Sequence, residues 1–333
     1  MRLRNVSFRT QIHLQGLSEK LFSRLKREVV VFRKSPSGHF VPEAKTGYGI
    51  ASVYTPEHKR GKGYARHMMR LLHWVIGLQA TLSPSKFPEE WGLPPPIPDG
   101  FGDATVSVLY SDVGPTFYKA CGPFGGDHGW TVTRQEFTDL AVDTALTKAQ
   151  GMDASGAGKW VFMPTSDLEE VWKADSEALS KESPANLDAS TQAAWTFLPR
   201  RGLGQFIQDR SKLAIRCMEK RPKFFGIKLG GEGDAILPFA SWTLEFTKNA
   251  PKTLLITRLR CSKELIQGML VEVAQYAKEY GIERVQIWNC PEELLDEVRT
   301  LGATVQTAHE HLSSVKWYGE EDPSSVLWLH NEK

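Results

Sequence analysis

The stretch YGIASVYTPEHKRGKGYARHMMRLL, Tyr48 to Leu72, decides how this chain is read. It opens with a β-prone run, Tyr48–Tyr54, that Pro56 stops, because proline cannot donate to a strand ladder. It closes in a helix whose Ala65, Met68, Met69, Leu72, Val75 and Ile76 recur at helical spacing on one apolar face, with Gln79 a polar last member. Between them lies HKRGKG. Gly61 and Gly63 put no Cβ between backbone and ligand, and they lead into a helix whose first N–H groups have no intrahelical acceptor. The macrodipole is positive at that end, and Lys59, Arg60 and Lys62 add charge, so the loop suits a pyrophosphate. The spacing is neither GxxxxGK[ST] nor GxGxxG, which argues against a P-loop ATPase and a Rossmann dinucleotide site. A basic, glycine-rich turn that holds nothing is the plain alternative.

Working outward, Glu28–Phe32 (EVVVF) reads as a strand closed by the turn Ser35-Pro36-Ser37-Gly38, with an amphipathic helix, Leu14 to Lys26, ahead of it. Residues 80–103 carry Pro84, Pro88, Pro94, Pro95, Pro96 and Pro98, a density that excludes helix and central strand. Then come strand Thr105–Tyr110, a short helix Pro115–Ala120, the turn CGPFGGDHG and a short strand at Trp130-Thr131-Val132. Residues 134–222 read as mainly helical, with Ser166–Glu182 opened by a Ser166/Glu169 capping box and a glycine-rich loop at Gln150–Lys159. The remainder repeats the first architecture: strands Phe224–Leu229, Ala240–Phe246 and Thr253–Arg260, helix Lys263–Tyr280, strand Val285–Asn289, helix Pro291–Leu301, and strands at Thr304–Ala308 and Val326–Leu329. The expected organisation is therefore α/β in three parts: 1–133, a helical connector at 134–222, and 223–333.

Composition narrows the function. The chain has 333 residues, more than one compact core usually serves, with 41% hydrophobic and 24% charged, which disfavours disorder. Lys plus Arg total 41 against 39 Asp plus Glu, a net charge of +2 that offers no field for gripping nucleic acid or an anionic membrane. No apolar run approaches the ~20 residues of a membrane span, and the opening MRLRNVSFRT lacks a signal-peptide core, so a soluble cytoplasmic protein with reduced thiols is expected. Cys121, Cys217, Cys261 and Cys290 are too scattered for a disulfide framework or a CxxC metal site. His309-Glu310-His311 puts two imidazoles on one expected strand face, but without a third ligand at usable spacing no metal is expected.

RGKGYA, read as R-x-x-G-x-A, resembles the acyl-CoA pyrophosphate loop of the GNAT superfamily of N-acetyltransferases. Around it, YGIASVYTPEHKRGKGYARHMMRLL and VLYSDVGPTFYKACG…HGW are similar to the corresponding stretches of fungal lysine N6-acetyltransferases, from about Gly47 to Trp130. Beyond those residues the resemblance rests on element order. It implies a twisted mixed sheet flanked by helices that binds acetyl-CoA as co-substrate, followed by a second GNAT-like domain. Ser262-Lys263-Glu264 begins the later long helix without a glycine, so that domain is expected to lack the pyrophosphate loop. The implied reaction is acetylation of the side-chain amine of free L-lysine, a small-molecule acceptor.

Carried over by motif, the resemblance gives Ala51, Ser52 and Val53 the role of offering strand-edge backbone groups to the pantetheine arm and thioester carbonyl. It gives Arg60, Gly61, Lys62, Gly63, Tyr64 and Ala65 the pyrophosphate. Tyr118 stands where many members place the tyrosine that protonates the leaving thiolate, and an ordinary helix aromatic is the alternative. A lysine amine, with a pKa near 10.4, must lose a proton before it attacks. Asp112 is the nearest acid by placement, to act through water or hold the ammonium, although Ser111-Asp112 before Gly114-Pro115 is equally good helix-capping chemistry. The family has a strand and two helices ahead of the second strand, whereas here a short stretch with one helix precedes Glu28. An open sheet edge and an incomplete amine site are the expected consequences. Two other readings follow: transfer to a different small amine, or a catalytically silent CoA-binding scaffold.

Overall fold

The computed structural model describes residues 26–51, 53–151, 159–184, 187–200, 215, 218, 220–231, 238–246 and 250–330. The expected helix from Leu14 lies outside these, as do Ser52, Cys217, most of the loop 150–159 and the second half of the turn at Gly230-Gly231-Glu232-Gly233. The chain forms two compact units, each built on its own seven-stranded mixed sheet.

The first unit comprises residues up to 135, 183–197 and 309–329. Strands β1 (Lys26–Lys34) and β2 (Phe40–Ile50) form an antiparallel hairpin whose turn is closed by Ser35 N–H donating to His39 O at 2.8 Å. Gly38 takes a φ of 86° there, a conformation side chains disfavour. Helix α1 (Tyr64–Ile76) carries the chain from β2 to β3 (Ala104–Ser111), which lies parallel to β2. Then follow α2 (Thr116–Lys119) and β4 (Thr131–Val132). Met69, Leu72, Val75 and Ile76 of the expected apolar face are buried, each stabilising the fold by about 1.5–3 kcal/mol. The proline-rich segment holds two short 3₁₀ turns, yet buries Leu82 and Phe87, with the Phe87 ring edge-on to Trp74 at 5.0 Å. It is a fitted coat on α1.

The second unit comprises 136–182, 198–308 and the residues after 329. Its elements are β5 (Glu136–Ala141), α3 (Val142–Ala149), β6 (Trp160–Met163), α4 (Thr165–Leu179), β8 (Gly226–Leu229), β9 (Phe239–Glu245), β10 (Thr253–Arg260), α5 (Ile266–Glu279), β11 (Arg284–Trp288), α6 (Glu292–Thr300) and β12 (Thr304–Thr307). Its sheet order is β12-β5-β11-β10-β9-β8-β6, with β10 and β11 parallel and joined by α5, the arrangement of β2, α1 and β3. Met269, Leu270, Val273 and Ala277 of α5 sit at the centre of its core.

Five expectations are corrected. Residues 134–222 are not a helical connector: they supply β5 and β6 to the second sheet and β7 (Ala193–Phe197) to the first. The units are therefore discontinuous, and cuts at 133 and 222 do not separate them. Within that segment α4 starts at Thr165 behind Pro164, and Ser166 Oγ bonds Asp167 Oδ1 instead of capping backbone. The outer edge of β1 is not open: β7 pairs with it antiparallel, and β14 (Val326–Trp328) pairs parallel with β7. Finally, His309–His311 form a bend rather than a strand face, because strand β13 (Leu312–Trp317), unforeseen from sequence, begins just after them and pairs with β3.

Candidate active site

The site grows from the parallel pair at the middle of the first sheet. The register of β2 with β3 ends at Ile50↔Leu109, and while β3 runs on to Ser111, β2 turns out into the loop 51–63. Exposed Ala51 and half-buried Val53 lie where the strands part; Val53 packs on the core around α1. Two parting parallel strands leave backbone groups along β2 that a neighbouring strand no longer takes up.

The loop is braced by its own cations. Arg60 Nε donates to Thr55 O at 3.1 Å with its guanidinium 5.9 Å from the exposed Tyr54 ring, and Lys62 Nζ donates to His58 O at 3.3 Å. Gly61 (φ 72°) and Gly63 (φ 78°) are both left-handed, and nothing lies within 4 Å of where a Cβ would stand on either. Gly63 is the N-cap of α1, with no side chain capping the helix and no acid in its first turn. Among the described residues, none offers a backbone acceptor to the amides of Gly61 through Ala65. Exposed amides and a positive helix end thus face open space in a loop that carries Lys59, Arg60 and Lys62, the electrostatics of an anion cradle. Tyr64 and Ala65 are half-buried and fix the loop to the helix.

Tyr118 sits half-buried on α2, its ring edge-on to Phe117 at 5.0 Å and to Trp130 at 6.4 Å. Its carbonyl accepts from Cys121 N and Trp130 N, both at 3.1 Å. A Cβ on Gly129 would stand 2.1 Å from that carbonyl, which is why HGW carries glycine there. Burial, then Cys121, then the Asp112 carboxylate push the phenol above its ordinary value, so it keeps its proton at neutral pH. Behind it, buried His73 of α1 stacks on Trp130 with ring centroids 4.0 Å apart, and bonds Tyr318 Oη at 2.6 Å and Cys121 O at 2.9 Å. Ser107 of β3 accepts from Trp130 Nε1 at 2.9 Å and meets Tyr318 Oη at 3.1 Å. This satisfied polar network locks α1, β3 and the turn after α2 together.

Asp112 does not cap α2. Ser111 takes the turn instead: its Oγ donates to Gly114 O at 2.7 Å and accepts from Val113 N at 3.3 Å. The Asp112 carboxylate reaches across to the bend before β13, where Oδ1 accepts from His311 N at 3.1 Å and lies 2.7 Å from His311 Nδ1. Sequence reading noticed His311 only beside His309; its partner lies 199 residues away, and no local pattern joins them.

Elsewhere in the second unit, the start of α5 has Leu265 as N-cap and no glycine, so the counterpart of the cradle is absent there. Among the described residues no group of His, Cys, Asp or Glu is placed to hold a metal ion, and no helix is long and apolar enough to cross a membrane.

A family model described as the LYC1 GNAT-like C-terminal domain matches residues 144–333, which hold β6 to β12 and also β13 and β14. No protein of curated function matches the chain in sequence. A GCN5-related N-acetyltransferase from Kribbella flavida is similar in structure at 13% identity, over 88% of this chain and 55% of that one, with a TM-score of 0.39; the chain thus spans about half of that protein. A conserved protein of unknown function and probable N-acyltransferase from Enterococcus faecalis V583 matches at 12% identity over 94% and 69%, with a TM-score of 0.45. A tandem GNAT protein from the clavulanic acid biosynthesis pathway matches at 13% identity over 86% and 82%, with a TM-score of 0.42.

Proposed function

The chain belongs to the family of the LYC1 GNAT-like C-terminal domain, and on that premise we propose that it is an acetyl-CoA-dependent N-acetyltransferase whose acceptor is the side-chain amine of free L-lysine. One observation carries the acetyl-CoA reading: two left-handed glycines and the uncapped, basic N-terminus of α1 stand at the end of a strand that has parted from its parallel neighbour. The residues fit the co-substrate. Arg60 to Ala65 hold the pyrophosphate with amides and charge, and the backbone of Ala51 and Val53 lies along the pantetheine arm. When bound, the thioester supplies the acetyl group and a leaving thiolate, and Tyr118, kept protonated, donates to that sulfur. Asp112 brings negative charge to the side where an ammonium would approach.

The lysine assignment rests on the similarity of residues 47–130 to fungal lysine N6-acetyltransferases and on family membership. A silent CoA-binding scaffold drew its support from the short stretch ahead of β1, with an open edge and an incomplete amine site as its consequences; of these two, the open edge is not met, because β7 pairs with β1. A cytoplasmic location goes with the reading, since Cys121, Cys261 and Cys290 are free thiols; cell fractionation checks it. The deciding experiment measures thiol release from acetyl-CoA against an amine panel of L-lysine, ornithine, spermidine and an amino-sugar. Turnover with lysine alone supports the full reading, turnover with another amine corrects the acceptor, and silence with acetyl-CoA bound refutes the transferase.

A further inference from the structure

We propose that His311 is the general base of this site, and that Asp112 is a positioning residue that holds its imidazole in the working tautomer. The inference rests on the transferase reading above. Its ground is geometric. In the β3–β13 register Leu312 faces Ser111, so His311 stands opposite Asp112, just beyond the point where β3 has outrun β2. The carboxylate grips His311 twice, at the backbone amide (3.1 Å) and at Nδ1 (2.7 Å). A carboxylate is an acceptor, so Nδ1 carries the proton, which leaves the Nε2 lone pair to take another.

The backbone supports the assignment. His311 is held at φ 53°, a conformation uncommon outside glycine, and such outliers persist where surrounding structure fixes them. The His311 side chain is 42% exposed, so the imidazole is open to a substrate from solvent while one edge is tied down. Asp112 follows the end of β3 and faces the imidazole, His309 and Glu310 share its bend, and Arg134, after β4, lies beside the start of β13, where its carbonyl accepts from Ser313 Oγ at 3.1 Å. Tyr118 feels the charge of Asp112, so the proton donor and the dyad share one locality.

The proton inventory closes. An alkylammonium gives one proton to His311 Nε2, and the freed nitrogen lone pair forms the C–N bond at the thioester carbonyl carbon. The C–S bond breaks with its electron pair going to sulfur, which takes the Tyr118 proton; the nitrogen's surplus proton returns to the phenolate. The imidazolium sheds its proton to solvent, so one proton is released for each amide and thiol formed.

The test compares wild type, His311→Asn and Asp112→Asn with L-lysine and with an aminooxy analogue of the same length, which is already neutral at pH 7. Asparagine tolerates the left-handed backbone, and a melting temperature within a few degrees of wild type checks the fold. His311→Asn is expected to lower kcat/KM for lysine by about 10²–10⁴-fold at pH 7 and to make turnover climb with pH toward the amine's own pKa of about 10.4, with acetyl-CoA affinity and aminooxy turnover retained. Asp112→Asn is expected to give a smaller loss of the same kind, on lysine and not on the aminooxy acceptor. A wild-type profile in His311→Asn, or equal losses on both acceptors, overturns the base. Wild-type protein that binds acetyl-CoA but acetylates no amine overturns the transferase reading, and the base with it.

Discussion

Replacing Gly63 with glutamate is expected to abolish tight acetyl-CoA binding while leaving the fold standing, and the geometry separates the two effects. Gly63 sits at φ 78° and ψ 2°, where any L side chain costs about 1–2 kcal/mol of backbone strain. No heavy atom lies within 4 Å of the new Cβ, so no clash is added. In a domain of roughly 150–250 residues, each kcal/mol lowers Tm by about 2–4 °C, so a modest drop is expected. The ligand loses more. A carboxylate roughly 4 Å from one phosphate charge is repelled by about 1 kcal/mol in water and about 4 kcal/mol near a protein surface. Gly63 is exposed, so the low end applies to each phosphate, and a displaced amide contact adds about 1 kcal/mol. The sum, near 3 kcal/mol, is roughly a 100-fold loss of affinity. Calorimetry and thermal shift with acetyl-CoA, repeated with acetyl-pantetheine, which has no pyrophosphate, read the effect. Gly63→Ala carries the strain without the charge and Gly63→Asn relieves the strain, so affinity should fall least in these two. Acetyl-pantetheine should not distinguish the variants. Wild-type acetyl-CoA affinity in Gly63→Glu would refute the cradle.

Tyr118→Phe is expected to cut kcat about 100-fold with acetyl-CoA affinity unaltered, as for a group acting on the leaving sulfur; wild-type kcat removes it from the reaction. Asp175, fully buried on α4, accepts from Arg258 Nε at 2.7 Å and from the part-buried Arg260 Nε at 2.9 Å, so Asp175→Ala removes a buried carboxylate that both guanidiniums share and should cost about 3–5 kcal/mol in urea unfolding; a loss under about 1 kcal/mol would count against this. Burial resists the charge on Asp175, but the two arginines outweigh it and hold the carboxyl below its ordinary 3.8, so this stability is present above that pH and is lost as pH falls through the lowered value. His73 is pushed down to about 3, first by burial and then by the Lys316 charge, while unfolded histidine titrates near 6.5. The unfolded chain therefore takes a proton that the native state refuses, and stability should decline as pH falls from about 6.5 toward 3. An identical decline in His73→Phe, followed by urea midpoints at pH 7 and 4.5, would show another group responsible.

How far the sequence was legible follows from the range of each interaction. The stretch from α1 to β3 and Tyr118 is encoded locally, by glycine and proline punctuation and one apolar helix face, and its elements stand close to where those signals put them, whereas the strand expected at Tyr48–Tyr54 ends at Ile50. The front of β2 was hidden because Pro42 and Gly47 look like breakers. Pro42 is tolerated because β3 pairs with β2 only from Thr46 onward, so its missing N–H breaks no bond on that side. Gly47 is a packing glycine: a Cβ there would stand 2.8 Å from Val29 Cγ1. The His311–Asp112 dyad was illegible for the opposite reason, since two residues far apart in sequence meet only through strand pairing.

The same long-range pairing explains why the middle of the chain was misread, and it ties the candidate site to the whole protein. Neighbouring strands in sequence usually pair, so a chain that leaves β4 is expected to continue its own sheet. Here β5, next after β4, instead lies antiparallel to β11 in the second sheet. Next after β12, β13 lies antiparallel to β3 in the first. Each sheet thus receives, beside the second strand of its parallel pair, a strand from the sequence territory of the other. Alternation of apolar and polar residues tells which face of a strand is buried but not which sheet takes it. The exchange has a chemical consequence. The proposed cradle belongs to residues 60–65 and the proposed proton donor to residue 118, but the imidazole proposed as base arrives with β13, after the entire second sheet has been laid down. On that proposal the loop needs only the first part of the chain, while the site that would deprotonate an amine is completed only when the last part returns to the first sheet.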